Sequence, residues 1–434
     1  MTTKSLILIF LCSSLFPGCN IADRSAEKEK KIVPSDTYKG LVMAGYQGWF
    51  NAEGDGADRG WFHYQKDGRF EPGFCTIDMW PEMSEYTDTY KTDFKFEDGT
   101  SAYVFSSFDQ STTDLHFSWM QEYGIDGVFM QRFVSTIKGT KGFAHYDKIL
   151  ESAFTAAEKY GRVICIMYDL SGMNPEDYQK VIDDWKYLVT KYNLLGEKKP
   201  ASYLSHRGKP LVAVWGIGFN DNRKYGLSEA SLIIDFLKND PQYGGTAVQI
   251  GVPTYWRELR SDAIPDSVLH NIMRMADIVH PWFVGRYKTE AEYDSFRELI
   301  VKDLAWCSKN GLDYVPTVFP GLSWKNLYPS AVSNQIPRNR GNFLWKQLSG
   351  AVSAGAEMIY VAMFDEIDEG TAIFKCAREV PVVTPDQVAE GGIMNVFVPI
   401  VMDIPSDHFL WLTGQAARMI RKEIPFTAQM PSRN

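Results

Sequence analysis

The sequence predicts a single α/β domain, a (β/α)8 TIM barrel with long excursions in the loops that follow its strands. Its 434 residues, 45% of them hydrophobic, are enough to bury a large core. From Leu41 onward, apolar runs rich in β-branched or aromatic residues alternate with segments of helical pattern, as in the βα units of a parallel sheet. Eight such runs occur. No GxGxxG motif opens the first unit, so a doubly wound open sheet is the weaker alternative.

The eight predicted strands are short apolar runs, as expected for strands buried on both faces. They span residues 41–50, 127–133, 163–170, 211–215, 247–252, 278–284, 314–319 and 358–364. Helical spacing predicts helices at 146–159, 178–191, 229–238 and 290–310, and a closing helix at 409–422. The insert at 51–123 is too long for a plain loop and predicts a structured wall of a cleft. The domain is expected to span 38–425, with a tail at 426–434.

The first 37 residues predict export and anchoring. Lys4, an apolar run at 6–11 and small residues after it indicate a signal peptide over 1–18, too short for a membrane span. Its end resembles a bacterial lipoprotein box in which Cys19 is lipidated, and ordinary secretion is the alternative. Residues 19–37 are charged and unpatterned, as in a tether. We expect a monomer in the bacterial cell envelope, lipid-anchored on the periplasmic or outer-membrane surface.

Composition excludes some partners and favours others. A net charge of −9 argues against nucleic acid. Twelve Trp, 22 Tyr and 26 Phe suit a neutral glycan, because sugar rings stack on aromatic faces. The cysteines beyond the leader, Cys75, Cys165, Cys307 and Cys376, form no CxxC motif, and a bridge such as Cys75 to Cys376 stays open.

An acidic turn follows the eighth predicted strand. Asp365, Glu366, Asp368 and Glu369 come directly after the apolar run, at the strand end where barrel enzymes keep their chemistry. Glu366 and Glu369 are three residues apart, which places both side chains on one side of a turn. Two close carboxylates do not ionise independently, so a proton donor lies beside a base, as glycoside hydrolysis requires. A calcium site and a solvated acidic loop are the alternatives.

A family resemblance rests on this turn. FDEIDEGTAI at 364–373 resembles the F-N-E-W-H-E-G-T-Q-I signature of glycoside hydrolase family 99, the endo-acting α-mannosidases and α-mannanases, and more loosely the related family 71. YQGWF at 46–50 is similar to the family's opening strand. Asp365, Ile367, Asp368 and Ala372 replace Asn, Trp, His and Gln of the signature.

The resemblance implies a glycoside hydrolase that retains anomeric configuration through a 1,2-anhydro sugar. It implies that Glu366 draws the proton from the sugar 2-hydroxyl, and that Glu369 protonates the leaving oxygen and then activates water. No metal or organic cofactor is implied. An α-mannan is the leading substrate, and α-glucans or xylose- and arabinose-containing glycans stay open. A surface glycan-binding protein derived from such an enzyme is the second hypothesis.

Polar and aromatic residues at the other strand ends predict the substrate contacts, because these ends converge on one face of a barrel. The set is Tyr46, Gln47, Trp49, Arg132, Asp169, Trp215, Trp256, Arg257, His280, Trp282 and Trp324. We expect about half of the tryptophans after strands four to seven to pack in the core instead. His280 could equally be a hydrogen-bonded core residue, and Asp169 could form an Asx turn. Arg132 and Arg257 could orient substrate or pair with the two glutamates.

Overall fold

The computed structural model describes residues 32–433, so the predicted signal peptide, Cys19 and most of the tether lie outside the described residues. The described chain forms eight parallel barrel strands. They are β1 Val42–Tyr46, β2 Gly127–Phe133, β3 Val163–Asp169, β4 Lys209–Trp215, β5 Ala247–Val252, β6 Ile278–Pro281, β7 in two halves (Asp313–Tyr314 and Thr317–Val318) and β8 Ile359–Val361. Each of the eight predicted runs contains or overlaps one of them, which confirms the strand prediction.

The sheet closes on itself. β1 pairs in parallel with β2 on one side and with β8 on the other. The first half of β7 pairs with β6 and the second half pairs with β8. Pro316 lies between the halves and has no N–H to donate, so the strand breaks there without opening the barrel. The predicted (β/α)8 barrel is therefore confirmed.

Helices follow the strands around the outside. They are α1 Gln110–Tyr123, α2 Val134–Ile137, α3 Thr140–Tyr160, α4 Tyr178–Tyr192, α5 Leu227–Asn239, α6 Val268–Met275, α7 Glu290–Lys309, α8 Asn342–Ser353 and α9 His408–Ile420. The predicted helices correspond to α3, α4, α5, α7 and α9. Sequence reasoning missed α1, α2, α6 and α8. In α8, Phe343, Leu344 and Trp345 are consecutive and all buried, which obscures the helical period.

The insert after β1 is structured, as predicted. It contains an antiparallel hairpin, Tyr90–Lys95 with Ser101–Val104, and ends in α1. Its aromatic residues pack against the end of β1: the Phe50 and Tyr64 rings lie 4.9 Å apart, and the Tyr64 and Phe70 rings 5.2 Å apart. This packing fixes the insert beside the carboxyl end of the barrel.

One glycine sets how closely β1 approaches the turn after β8. A Cβ on Gly45 would lie 2.0 Å from Met363 Cε and 2.1 Å from Tyr360 Oη. Only glycine leaves room for these side chains inside the barrel. The approach lets the N–H of Phe364 donate to the carbonyl of Gly45 at 2.7 Å, which ties the acidic turn to β1.

The four described cysteines form no disulfide. Cys75, Cys165, Cys307 and Cys376 are all buried free thiols, so the Cys75 to Cys376 bridge that the sequence left open is not formed.

Within residues 32–433, the helices are all too short or too polar to cross a membrane.

Candidate active site

The acidic turn is locked to the end of β1 by Asp365. Its Oδ1 accepts the backbone N–H of Gln47 at 2.8 Å, and its Oδ2 accepts that of Gly48 at 2.9 Å. The carbonyl of Glu366 accepts the N–H groups of Thr371 and Ala372, both at 3.0 Å, which closes the turn. Burial raises the pKa of Asp365 to about 7. Through its two hydrogen bonds to the backbone after β1, Asp365 holds the turn in place, and the two glutamates project from the turn.

Glu366 is a buried carboxylate with two donated hydrogen bonds. Gln47 Nε2 donates to Oε1 at 2.7 Å, and Thr371 Oγ1 donates to Oε2 at 2.7 Å. Burial and the charge of Glu369 raise the pKa of Glu366, while the two donors oppose this rise by stabilising its ionised form. These donors favour negative charge on Glu366.

Glu369 is held by burial in its protonated form. Burial, and to a smaller extent the charge of the adjacent Asp368, raise its pKa to about 8. Because the two glutamates repel each other when both are ionised, they titrate as a pair, and burial favours the protonated form of both. The two hydrogen bonds donated to Glu366 stabilise its ionised form, which suits Glu366 as the base and Glu369 as the acid.

The pair opens into a cleft of about 330 Å³ at the carboxyl end of the barrel. Its walls combine five aromatic and two amide side chains with aliphatic, hydroxyl and charged ones, borne by strand ends and the loops after them. The lining residues are Gln47, Trp49, Gln131, Phe133, Asp169, Ser171, Trp215, Trp282, Val284, Arg286, Leu322, Trp324, Met363, Glu366 and Glu369. The cleft has the shape and chemistry to hold a sugar ring against the glutamates.

The structure brings most of the predicted site residues to this cleft. Those that line it are Gln47, Trp49, Asp169, Trp215, Trp282, Trp324, Glu366 and Glu369. Asp169 lines the cleft, and its Oδ1 also accepts the N–H of Ser171 at 2.7 Å in an Asx turn. The roles of these residues in binding or catalysis stay predictions.

Three predicted contacts are wrong, because their side chains point away from the cleft. Arg132 donates through Nε to Asp184 Oδ2 on α4 at 2.7 Å, and Arg257 donates through Nε to Asp303 Oδ1 on α7 at 2.7 Å. Trp256 is fully buried, with its ring 5.0 Å from that of Trp306 on α7. These side chains attach loops and strands to the outer helices, and neither arginine pairs with Glu366 or Glu369.

Two other predicted contacts fill the protein interior. The hydroxyl of Tyr46 pairs with His116 Nδ1 at 2.8 Å. His280 Nε2 lies 2.8 Å from Thr317 Oγ1, and its ring lies 4.2 Å from that of Tyr360. Neither residue lines the cleft, because at these positions the barrel interior is closed by packed side chains. For His280 the core alternative is the observed one.

Gln131 is a cleft residue that sequence reasoning missed. It precedes Arg132 in β2, and successive side chains of a strand point to opposite faces. Gln131 therefore faces the barrel axis while Arg132 faces α4. In the sequence, this alternation was the available signal that Gln131 and Arg132 lie on opposite faces of β2. Gln131 Nε2 donates to Tyr360 Oη at 3.2 Å, which orients the amide in the cleft.

Several buried polar atoms of the cleft have no hydrogen-bond partner in the described chain. They are Gln47 Oε1, Gln131 Oε1, Trp49 Nε1 and Trp215 Nε1. Unsatisfied buried groups are costly, and a ligand rich in hydroxyl groups can both donate to the amides and accept from the indoles.

The raised pKa of Glu369 also predicts that the stability of the fold depends on pH. Its folded-state pKa of about 8 exceeds the ordinary value of 4.5. This contribution to stability is fully present when the pH lies below the unfolded-state pKa. It is lost as the pH rises through the folded-state pKa. We expect Glu369→Gln, which does not ionise, to raise the free energy of unfolding by on the order of 2 kcal/mol at pH about 8, and little at pH about 4.

Urea unfolding at both pH values measures this effect. Glu122→Gln, an exposed carboxylate on α1, is the matched control and should change neither value. A gain of equal size at both pH values would contradict a raised pKa for Glu369.

The closed parallel barrel, with buried Glu366 and half-buried Glu369 after its last strand, defines a barrel of the glycoside hydrolase type. Among residues 32–433, no group of three or more His, Cys, Asp or Glu side chains is arranged to hold a metal ion.

Comparisons with known proteins lead to the same class. No family model matches the chain. It is 22% identical over 375 residues to glycoprotein endo-alpha-1,2-mannosidase of Rattus norvegicus, covering 81% of this chain and 71% of that protein. The GH99 endo-alpha-mannosidase from Bacteroides thetaiotaomicron superimposes with a TM-score of 0.63 at 15% identity, over 89% of this chain and 99% of that one. Its complex with BIS-TRIS-Propane gives 0.60 at 16% identity. The resemblance to family 99 is confirmed, and the structural likeness shows the shared fold.

Proposed function

We propose that this chain is a retaining glycoside hydrolase that cleaves α-linked mannose-containing glycans. The observation that carries the proposal is the pair of Glu366, which is buried, and Glu369, which is half-buried, in a cleft with aromatic walls. Among the described residues, side-chain donors bind Glu366 and not Glu369. That asymmetry suits a base and an acid acting in one site. Similarity to endo-alpha-mannosidases supports the glycan class.

In the proposed reaction, Glu366 removes the proton from the sugar 2-hydroxyl, and the oxygen so activated attacks C1. The bond from C1 to the leaving oxygen breaks, and Glu369 gives that oxygen its proton. Glu369, now ionised, then takes a proton from water, which attacks C1 and opens the three-membered ring, while Glu366 returns its proton to the 2-oxygen. Attack from opposite faces in the two steps retains the configuration at C1.

The test is a product assay of the purified protein on yeast α-mannan, α-glucans and plant xylans. Release of oligosaccharide from α-mannan alone is the expected result. Release from an α-glucan or a xylan alone would keep the enzyme class and replace the substrate. Absence of product from every polymer, with calorimetric binding to one of them, would favour the second candidate, a glycan-binding protein. The substitution of Ile367, Asp368 and Ala372 for the signature residues keeps that candidate open.

We further propose that the protein is a monomer of the bacterial cell envelope, held by a lipid on Cys19 after removal of residues 1–18. The sequence pattern at 15–19 supports this, and those residues lie outside the described part of the chain. Mass spectrometry of the mature N-terminus decides between a lipidated Cys19 and the free N-terminus of a secreted protein.

A further inference from the structure

An exposed aromatic ring lies next to a ring of the cleft wall. Tyr328, on the loop after β7, is 51% exposed, and its ring lies 5.2 Å from that of Trp324 with an angle of 76° between the planes. Trp324 is half-buried and lines the cleft. A single exposed tyrosine is ordinary. One that touches a cleft residue extends the aromatic wall outward from the cleft.

The loop that carries both rings is fixed by the insert after β1. Asp78 Oδ2 accepts the backbone N–H of Lys325 at 2.8 Å, and Asp78 Oδ1 accepts that of Asn326 at 2.7 Å. Within the loop, the N–H of Tyr328 donates to the carbonyl of Trp324 at 2.8 Å. The backbone under the two rings is therefore already ordered, so a ligand that binds there does not have to order it.

This loop lies on the Glu369 side of the acidic turn. β8 pairs with β1 on one side and with the second half of β7 on the other, so the turn after β8 lies between the end of β1 and the loop after β7. Gln47, which follows β1, donates to the Glu366 carboxylate at 2.7 Å. The N–H of Ser323, in the loop, donates to the carbonyl of Glu369 at 2.9 Å. Glu366 is thus next to β1, and Glu369 is next to the loop with the two rings.

Two carboxylates of the turn act on Tyr328. Partial burial raises the pKa of Tyr328, and the charge of Glu369, followed by that of Asp368, adds to the rise. Asp368 is held by the insert, with its Oδ2 3.0 Å from His63 Nδ1. Because salt screens exposed charges beyond roughly 10 Å, the hydroxyl of Tyr328 lies within reach of the acidic turn.

We propose that Trp324 and Tyr328 form the platform that binds the sugar on the leaving-group side of the cleaved bond. In the proposed function, on which this inference rests, Glu369 gives its proton to the leaving oxygen, so the leaving sugar lies on the Glu369 side of the turn. The apolar C–H face of that sugar stacks on an open aromatic face. The inner part of the cleft then holds the sugar whose C1 is attacked.

The experiment compares two substrates that differ in the leaving group. An α-mannan tetrasaccharide leaves as a sugar, whereas α-mannobiosyl fluoride releases fluoride, which needs no platform. Tyr328→Ala should lower kcat/KM on the tetrasaccharide about tenfold, the effect of one lost ring contact, and leave kcat/KM on the fluoride unchanged. Trp324→Ala should also lower kcat/KM more on the tetrasaccharide than on the fluoride.

Two further variants serve as controls. Tyr328→Phe keeps the ring and should behave as the unaltered protein on both substrates. Tyr187→Ala removes an exposed tyrosine from α4 on the outside of the barrel, and should also change neither value.

Equal losses on the two substrates in Tyr328→Ala, or no loss on either, would overturn the proposal and leave the proposed function intact. If the unaltered protein cleaves neither substrate, the proposed function fails, and calorimetry with the tetrasaccharide tests the platform alone. A lower affinity in Tyr328→Ala than in Tyr187→Ala would then keep the two rings as a sugar-binding platform. Equal affinities would overturn it.

Discussion

Glu369→Gln is expected to lower kcat on the cognate glycan by about three orders of magnitude, with glycan affinity kept within a few-fold, since general acid catalysis contributes about 10² to 10⁴. The cause is the loss of the only proton that the proposed reaction gives to the leaving oxygen. Glu366→Gln should have an effect of similar size, because an amide does not accept the proton of the 2-hydroxyl. Product release and calorimetric binding measure the two quantities separately.

The pH dependence of this activity has a definite sign. Glu369 must be protonated to act, and its pKa is raised to about 8, so turnover falls as pH rises through that value. Glu366 must be ionised, so turnover also falls as pH decreases below the pKa of its carboxyl. Glu122→Gln on the outside of the barrel should behave as the unaltered protein. Full turnover in either active-site variant would refute the assignment of the pair.

The second large effect is expected from a substitution of Arg132, and it concerns the free energy of unfolding instead of catalysis. Arg132 and Asp184 are 1% and 4% exposed, and Tyr168 also donates to Asp184 Oδ2 at 2.7 Å. Arg132→Met leaves a buried carboxylate without its counter-charge, so we expect the free energy of unfolding to fall by about 3–5 kcal/mol. Urea unfolding measures the loss, and glycan affinity of the folded fraction should be unchanged.

A double variant separates charge from packing at this site. Arg132→Met with Asp184→Leu removes both charges, and should recover most of the stability that the single variant loses, because an apolar pair carries no unpaired charge. Equal losses in the single and double variants would show that packing of the Arg132 side chain, and not the ion pair, is what matters. A loss of glycan binding in folded Arg132→Met would return Arg132 to the substrate contacts.

The local apolar pattern of the sequence was sufficient to predict the barrel architecture. β2, β3 and β5 lie in the predicted runs almost residue for residue, because a strand buried on both faces is a continuous apolar run whatever its neighbours are. The acidic turn was equally visible, since four carboxylates within five residues interrupt such a run abruptly. α8 was hidden because a helix buried on nearly all sides lacks the polar face that reveals its period.

The orientation of individual side chains depended on tertiary structure. Strand alternation shows that Gln131 and Arg132 face opposite ways, but only the position of Asp184 on α4 shows which one faces outward. Trp256 and Trp282 both follow strand ends, yet Trp256 packs against α7 and Trp282 lines the cleft.

The sequence by itself determined the barrel and the acidic turn, because both depend on residues near each other in the chain. Only the tertiary structure decided what surrounds that turn. His63 and Asp368 are 305 positions apart, and Gln47 and Glu366 are 319 apart. Such pairs meet only once the sheet closes and the insert packs against it, since no local pattern specifies a partner across the barrel.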